Sequence, residues 1–174
     1  MALLVQTGPL LDIYTINDKP FTGIGIVYHS NQNNPFDLSK FKTRTTFKQG
    51  RENGPIEWFY KNGQLRSRKN CLNGKLEGLW EEFYENGQLE QRGNYKTGKR
   101  DGPWEYYYEN GQLGSRGKLK NRKLHGPYED RHFNGQLNFR GNLKNVIRES
   151  LWDIFDENGN LTGTGEWKDR ELVK

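Results

Sequence analysis

The stretch YENGQL, from Tyr84 to Leu89, decides the fold, because it returns letter for letter from Tyr108 to Leu113. In steps of 24 residues, KNGQL stands at Lys61 to Leu65, FNGQL at Phe133 to Leu137 and ENGNL at Glu157 to Leu161. A fixed period of this length marks a repeat array, whose units bury their apolar faces by stacking on neighbours. The unit reads WEEFYENGQLEQRGNYKTGKRDGP from Trp80 to Pro103, and others run from Ile56 to Leu79, Trp104 to Pro127, Tyr128 to Leu151 and from Trp152 onward. PFTG at Pro20 to Gly23 and FKQGRENGP at Phe47 to Pro55 read as the two ends of a first unit, stretched by an Asn-, Ser- and Lys-rich insertion around Asn31 to Lys42. The expected organisation is a lead-in over residues 1–20 and a single repeat domain of about six units over residues 21–174.

Each unit holds Asn-Gly between two alternating segments, the strongest short signal for a two-residue type I′ hairpin. With Asn86 and Gly87 at the tip, Tyr84 faces Leu89, Glu81 faces Arg92 and Trp80 faces Gly93. The same rule opposes Glu57 to Arg68, Glu105 to Arg116 and Glu129 to Arg140, each an acid against a base. It also lays Trp104 over Gly117, Tyr128 over Gly141 and Trp152 over Gly165, where a ring can cover bare backbone. Side-chain alternation then puts Trp80, Tyr84, Leu89 and Tyr95, with Trp104, Tyr108, Leu113 and Leu119, on a core face. The other face carries the Glu-Arg pairs with Phe59, Phe83, Tyr107 and Phe155 among them. Links ending in Gly54, Gly78, Gly102 and Gly126, often followed by proline, are expected to close each strand before the next begins. The fold class is therefore all-β: an elongated, twisted antiparallel ribbon of tandem 24-residue hairpins.

Composition supports folding without a cofactor. Apolar content is only 32% and mean hydropathy −1.07, but 13% of residues are aromatic, which separates this chain from a disordered polar one. A lone Cys71 excludes an intramolecular disulfide, and His29, His125 and His132 lack metal-ligand spacing. No HExxH, nucleophile elbow or glycine-rich phosphate cradle occurs, so no enzyme, metal, cofactor or small-molecule substrate is expected. A net charge of +5 is interleaved with acids, which argues against nucleic acid as partner. The opening MALLVQTGPLL has neither a basic n-region nor a membrane-length apolar run, and the expected location is cytoplasmic.

At these residues the sequence resembles the MORN repeat, in the bacterial variant of YwqK-type antitoxin-like proteins, from about Phe21 to the end. The resemblance implies an interaction surface of stacked hairpins that acts as an antitoxin or toxin-immunity component, or elsewhere as a membrane-associated scaffold. No family catalytic residue carries over. Unit five departs from the pattern with Asp130, Arg131 and His132 in place of aromatics, unit six with Thr164 in place of arginine, and one link with Val146 and Ile147 in place of Gly-Lys.

The repeat itself is expected to rest on Trp80, Gly87, Leu89, Arg92, Gly93, Trp104, Gly111, Leu113, Arg116 and Gly117. Partner recognition is expected at positions that packing does not dictate. Trp58, Glu82, Tyr106 and Asp130 form one such row, and Lys99, Arg100, Asp101, Lys123 and His125 lie in the links. Phe59, Phe83 and Tyr107 share a face with charges and so retain exposed ring surface. With Arg100, Asp130, Arg131 and His132, these aromatics and Trp58 and Tyr106 make the candidate binding set for a toxin or effector protein. An acidic phospholipid membrane is the alternative partner. His132 reads as a substituted aromatic and not as half of a catalytic dyad.

Overall fold

Strict alternation of side chains makes every described element a strand. The computed structural model describes residues 5–7, 13–16, 19–28, 41–168 and 171–173. It divides into two units, Met1–Gly87 and Gln88–Lys174. In the first, β1 (Val5–Thr7), β2 (Ile13–Ile16) and β3 (Lys19–Pro20) form a small antiparallel sheet in that order. A second sheet follows, with β4 (Gly23–Tyr28), β5 (Phe41–Lys48), β6 (Arg51–Phe59), β7 (Leu65–Leu72) and β8 (Lys75–Phe83) each paired antiparallel to the next. In the second unit β9 (Leu89–Lys96), β10 (Lys99–Tyr107), β11 (Leu113–Lys120) and β12 (Lys123–Arg131) make the same meander. It continues through β13 (Leu137–Lys144), β14 (Ile147–Phe155), β15 (Leu161–Lys168) and β16 (Glu171–Leu172). The insertion expected at Asn31 to Lys42 lies outside the described residues, except where β5 begins, and His29 lies outside them as well.

Both turn assignments need correction. The Asn-Gly tips are three-residue turns: the Gly63 N–H donates to the Tyr60 carbonyl and the Tyr60 N–H to the Gln64 carbonyl, with Lys61, Asn62 and Gly63 between. Only the glycine has positive φ, as at Gly63, Gly87, Gly111, Gly135 and Gly159. The asparagine keeps negative φ because its side chain is engaged locally. Asn62 Oδ1 accepts the Gln64 N–H at 2.9 Å, and Asn110 and Asn134 do the same for Gln112 and Gln136. A type I turn followed by a left-handed glycine is the other common hairpin solution for this dipeptide. It slips the register by one residue, pairing Phe59 with Leu65 and Tyr107 with Leu113. A bulge absorbs the slip, so that Glu57 still opposes Arg68 and Trp104 still opposes Gly117.

The two-residue turns sit at the links. Gln49–Gly50, Asn73–Gly74, Thr97–Gly98, Asn121–Arg122 and Asn145–Val146 each have two positive φ values, as type I′ requires. Gly54, Gly78, Gly102 and Gly126 do not end strands. They lie inside β6, β8, β10 and β12 with positive φ, next to register shifts, and Ser150 takes the same conformation in β14. A bulge re-aims the strand without stopping it, which lets one strand serve both the link and the next hairpin.

Val146 and Arg122 have φ of 67° where the links at Gly50, Gly74 and Gly98 use glycine. A left-handed L-residue costs about 1–2 kcal/mol, partly offset by the greater freedom glycine has when unfolded. Val146→Gly is therefore expected to stabilise the chain by about 0.5–1 kcal/mol, raising the urea midpoint at unchanged denaturant slope.

The core is one layer deep. Phe47, Ile56, Cys71, Trp104 and Trp152 are buried, with Trp152 only 2% exposed. Ile56, Trp104 and Trp152 belong to the same repeat row, on the face assigned to the core, with Trp80 and Tyr128 of that row half-buried. Phe139 packs on Trp152 with centroids 5.8 Å apart, Tyr128 on Trp152 at 6.4 Å and Tyr95 edge-on to Trp104 at 5.8 Å. Burial, with Glu52 beside it, pushes the Cys71 thiol up to about 11.

Candidate interaction surface

The repeated hexapeptide is explained by what each side chain does to the following hairpin. Tyr60 donates its hydroxyl to the Phe83 carbonyl at 2.6 Å, and Tyr108 to the Arg131 carbonyl at 2.5 Å. Asn110 Nδ2 donates to the Phe133 carbonyl at 2.9 Å and Asn134 Nδ2 to the Glu157 carbonyl at 2.7 Å. Gln64, Gln88, Gln112 and Gln136 lie over the bare Cα atoms of Gly87, Gly111, Gly135 and Gly159. Tyrosine, asparagine and glutamine thus each bind one position of the next turn, and glycine there leaves room for the glutamine.

The expected oppositions within hairpins hold, as in Trp104 with Gly117, Tyr128 with Gly141, Trp152 with Gly165 and Glu129 with Arg140, but the ring contacts and ion bonds are made to the neighbouring hairpin, in the same direction. A Cβ added to Gly93 would overlap the Trp104 ring, and one added to Gly141 the Trp152 ring. One on Gly117 would meet Tyr128 Cδ2 at 2.9 Å. Each glycine is thus covered by the ring of the following unit. Likewise Arg44 bonds Glu57, Arg68 bonds Glu81, Arg92 bonds Glu105, Arg116 bonds Glu129 and Arg140 bonds Asp153. In an antiparallel sheet every residue has one wide and one narrow cross-strand neighbour. Arg116 opposes Glu105 on one side and Glu129 on the other, and bonds the second. These exposed arginines add about 0.2–1 kcal/mol per pair and chiefly specify register. Hydrogen bonding from Arg116 holds the Glu129 carboxyl below the usual range; burial raises that of Glu105, but bonds from Arg92 and Tyr107 bring it below.

Unit five keeps these connections with different chemistry. His132 Nε2 lies 3.1 Å from the Phe155 carbonyl, the bond Tyr108 makes one unit earlier. Arg131 Nη2 donates to Glu129 at 3.1 Å, as the Tyr107 hydroxyl does to Glu105 at 2.9 Å. Asp130 accepts from Asn138 at 2.9 Å. Strands β12 to β14 keep the lengths of the other repeats despite Val146 and Ile147. In unit six Asp156 accepts from the N–H groups of Asn158 and Asn160 and from Asn160 Nδ2, so this turn bonds to itself. Thr164 stands opposite Asp153, which Arg140 already neutralises.

The remaining candidate residues differ in how much they leave open. In the first unit Trp58 is half-buried, with Lys69 Nζ 4.4 Å from its ring centroid, at a hollow of about 340 Å³ that Trp80 and Glu82 also line. Phe59 and Phe83 are half-buried as well. In the second unit Arg100 lies 4.3 Å from the Trp104 ring and donates to the Tyr95 hydroxyl at 3.3 Å, and Arg92 lies over Tyr107 at 5.8 Å. Tyr106 is 39% exposed and packs edge-on against Tyr108 at 5.8 Å. Phe133, 61% exposed, continues the cluster at 5.2 Å from Tyr108. Phe133 was not among the expected residues, although it stands where the other turns carry Lys61, Glu85, Glu109 and Glu157. An apolar residue at a charged repeat position was the available signal.

Among the described residues no group of three His, Cys, Asp or Glu side chains could hold a metal, and no helix is long and apolar enough to cross a membrane. No curated protein matches the sequence. Among solved structures the chain is similar to one in the GtfA/B complex bound to UDP and GlcNAc, at 14% identity and a TM-score of 0.26. That match covers 82% of this chain and 26% of the other, so this chain spans about a quarter of that protein's length. The family model that matches is the MORN repeat variant, at residues 52–70, 76–97 and 100–121. Residues 52–121 thus hold three MORN repeats.

Proposed function

We propose that this chain is an antitoxin- or immunity-type protein of the cytoplasm that binds a cognate toxin or effector and occludes its working surface. The observation that carries this reading is the cluster of Tyr106, Tyr108 and Phe133, two of whose rings are open to solvent. Rings held on a framework of bonded turns lose little freedom on binding, and aromatic anchors of this kind dominate binding energy. Tyr106 also belongs to the row that runs Trp58, Glu82, Tyr106, Asp130 and Ile154, whose identity changes from unit to unit.

The test is capture from the source cell by the tagged full chain, followed by co-expression with the captured protein. Rescue of growth from that protein's toxicity is expected. The pair Tyr106→Ala and Phe133→Ala is expected to weaken binding by roughly tenfold or more while the melting curve stays in place. Undiminished affinity in that variant would remove this surface.

An acidic phospholipid membrane is the second reading, on a separate observation. Lys96 directly opposes Lys99 and Lys120 opposes Lys123 at successive links, with Arg122 in the turn between the latter pair. Like charges directly opposed destabilise a sheet, which an anionic surface would relieve. Salt-sensitive co-sedimentation with phosphatidylserine vesicles supports this reading, and equal recovery with neutral vesicles opposes it.

A further inference from the structure

Arg148, on β14 in the second unit, is held among aromatic rings, and no ion pair or hydrogen bond engages it among the described residues. Its guanidinium carbon lies 4.7 Å from the Trp152 ring centroid, 5.2 Å from Trp167 and 5.5 Å from Phe139. Rings fix a guanidinium but accept none of its five N–H donors in the plane of the fork. Arg100 occupies the same repeat position two units earlier, and its Nε reaches the hydroxyl of Tyr95, the residue opposite it. Opposite Arg148 stands Leu143, which offers no side-chain oxygen. The indole N–H of buried Trp152, under the same guanidinium, also lacks an acceptor among the described residues. The neighbouring Lys144 is already paired with Glu149 at 3.2 Å.

Beside Arg148 is a hollow of about 370 Å³ walled by Val146, Ile147 and Trp167. Val146 is 59% exposed and left-handed at a turn position where three other links have glycine. Held in that turn, the exposed valine offers a fixed apolar surface beside the guanidinium.

We infer that Arg148 seats a carboxylate from an acidic, apolar segment of the partner protein, whose aliphatic neighbours rest on Val146, Ile147 and Trp167. A single cation in an apolar-walled hollow suits one carboxylate, which a guanidinium bonds through two parallel N–H groups. This rests on the proposed protein-binding role and adds the chemistry of the partner.

The probes are two acetylated, amidated pentapeptides, Gly-Leu-Glu-Leu-Gly and its glutamine counterpart, titrated into the full chain while the indole N–H resonances of Trp152 and Trp167 are followed. The glutamate peptide is expected to move both resonances and the glutamine peptide to bind at least about tenfold more weakly. That comparison needs no variant. Arg148→Gln is expected to lose about tenfold or more, and Val146→Gly to weaken binding severalfold in a chain that is more stable. Equal affinity for the two peptides, absence of binding by either, or full affinity in Arg148→Gln would overturn the assignment. If the glutamate peptide binds but no protein is captured from the cell, this site stands and the antitoxin role falls. If a protein is captured equally well by Arg148→Gln, the role stands and this site falls.

Discussion

Replacing Trp152 by alanine is expected to cost about 3–5 kcal/mol, the largest effect of any single truncation in the second unit. Trp152 is the largest fully buried side chain there, packed by Tyr128 and Phe139 and closed by the Arg148 guanidinium. Among its described residues the second unit has strands of one sheet only, so no second layer collapses into the space and the cavity term adds to the lost transfer energy. Urea unfolding of the full chain, with amide exchange over β13 and β14, measures the loss and places it. Trp167→Ala serves as the control, because that ring is only half-buried and its removal is expected to cost much less. Equal losses in the two variants would mean that the core of the second unit does not lie along the Trp104 and Trp152 row.

Gly141→Ala is expected to destabilise by about 1–3 kcal/mol, although alanine has the better intrinsic strand geometry. The added methyl would enter the volume of the Trp152 indole, and that ring cannot withdraw because it is buried on its other side. Adding the same methyl at Gly163 meets nothing within 4 Å and is expected to be neutral or mildly stabilising. The decisive comparison is the double variant with Trp152→Ala. Once the indole is gone the methyl has room, so Gly141→Ala should then cost little or even recover stability. Strict additivity of the two changes would show that the glycine serves backbone conformation and not the ring above it.

The strands, the two faces and the rows of Trp, Glu, Arg and Gly were legible in the sequence, because period-2 alternation within a period of 24 leaves little choice. Two features were not. Asn-Gly serves both a two-residue I′ turn and a type I turn with a left-handed glycine, and the deciding event is the Asn62 side chain bonding Gln64. The real I′ turns include Asn121–Arg122 and Asn145–Val146, whose second residues carry no such preference. The second unread feature is direction: Glu129 opposes arginines on both flanks, so charge matching cannot say that Arg116 and not Arg140 is the partner. Within the interaction surface, Tyr106 stood out as a variable aromatic. Arg131 and His132 stood out too, but they turn out to take over the bonds of Tyr107 and Tyr108. Arg148 escaped notice because its ring neighbours come from β13, β14 and β15, which only the folded sheet assembles.

Because Tyr60 in the first unit, and Tyr108, Asn110 and Asn134 in the second, grip the backbone of the hairpin that follows, gain or loss of a whole 24-residue block within a unit leaves these joints intact. A shift by any other number misaligns all of them. Recombination between the near-identical copies around Tyr84 and Tyr108 therefore offers a route to longer or shorter descendants that are foldable from the outset. Natural selection could thereby adjust the number of hairpins without redesigning a single contact.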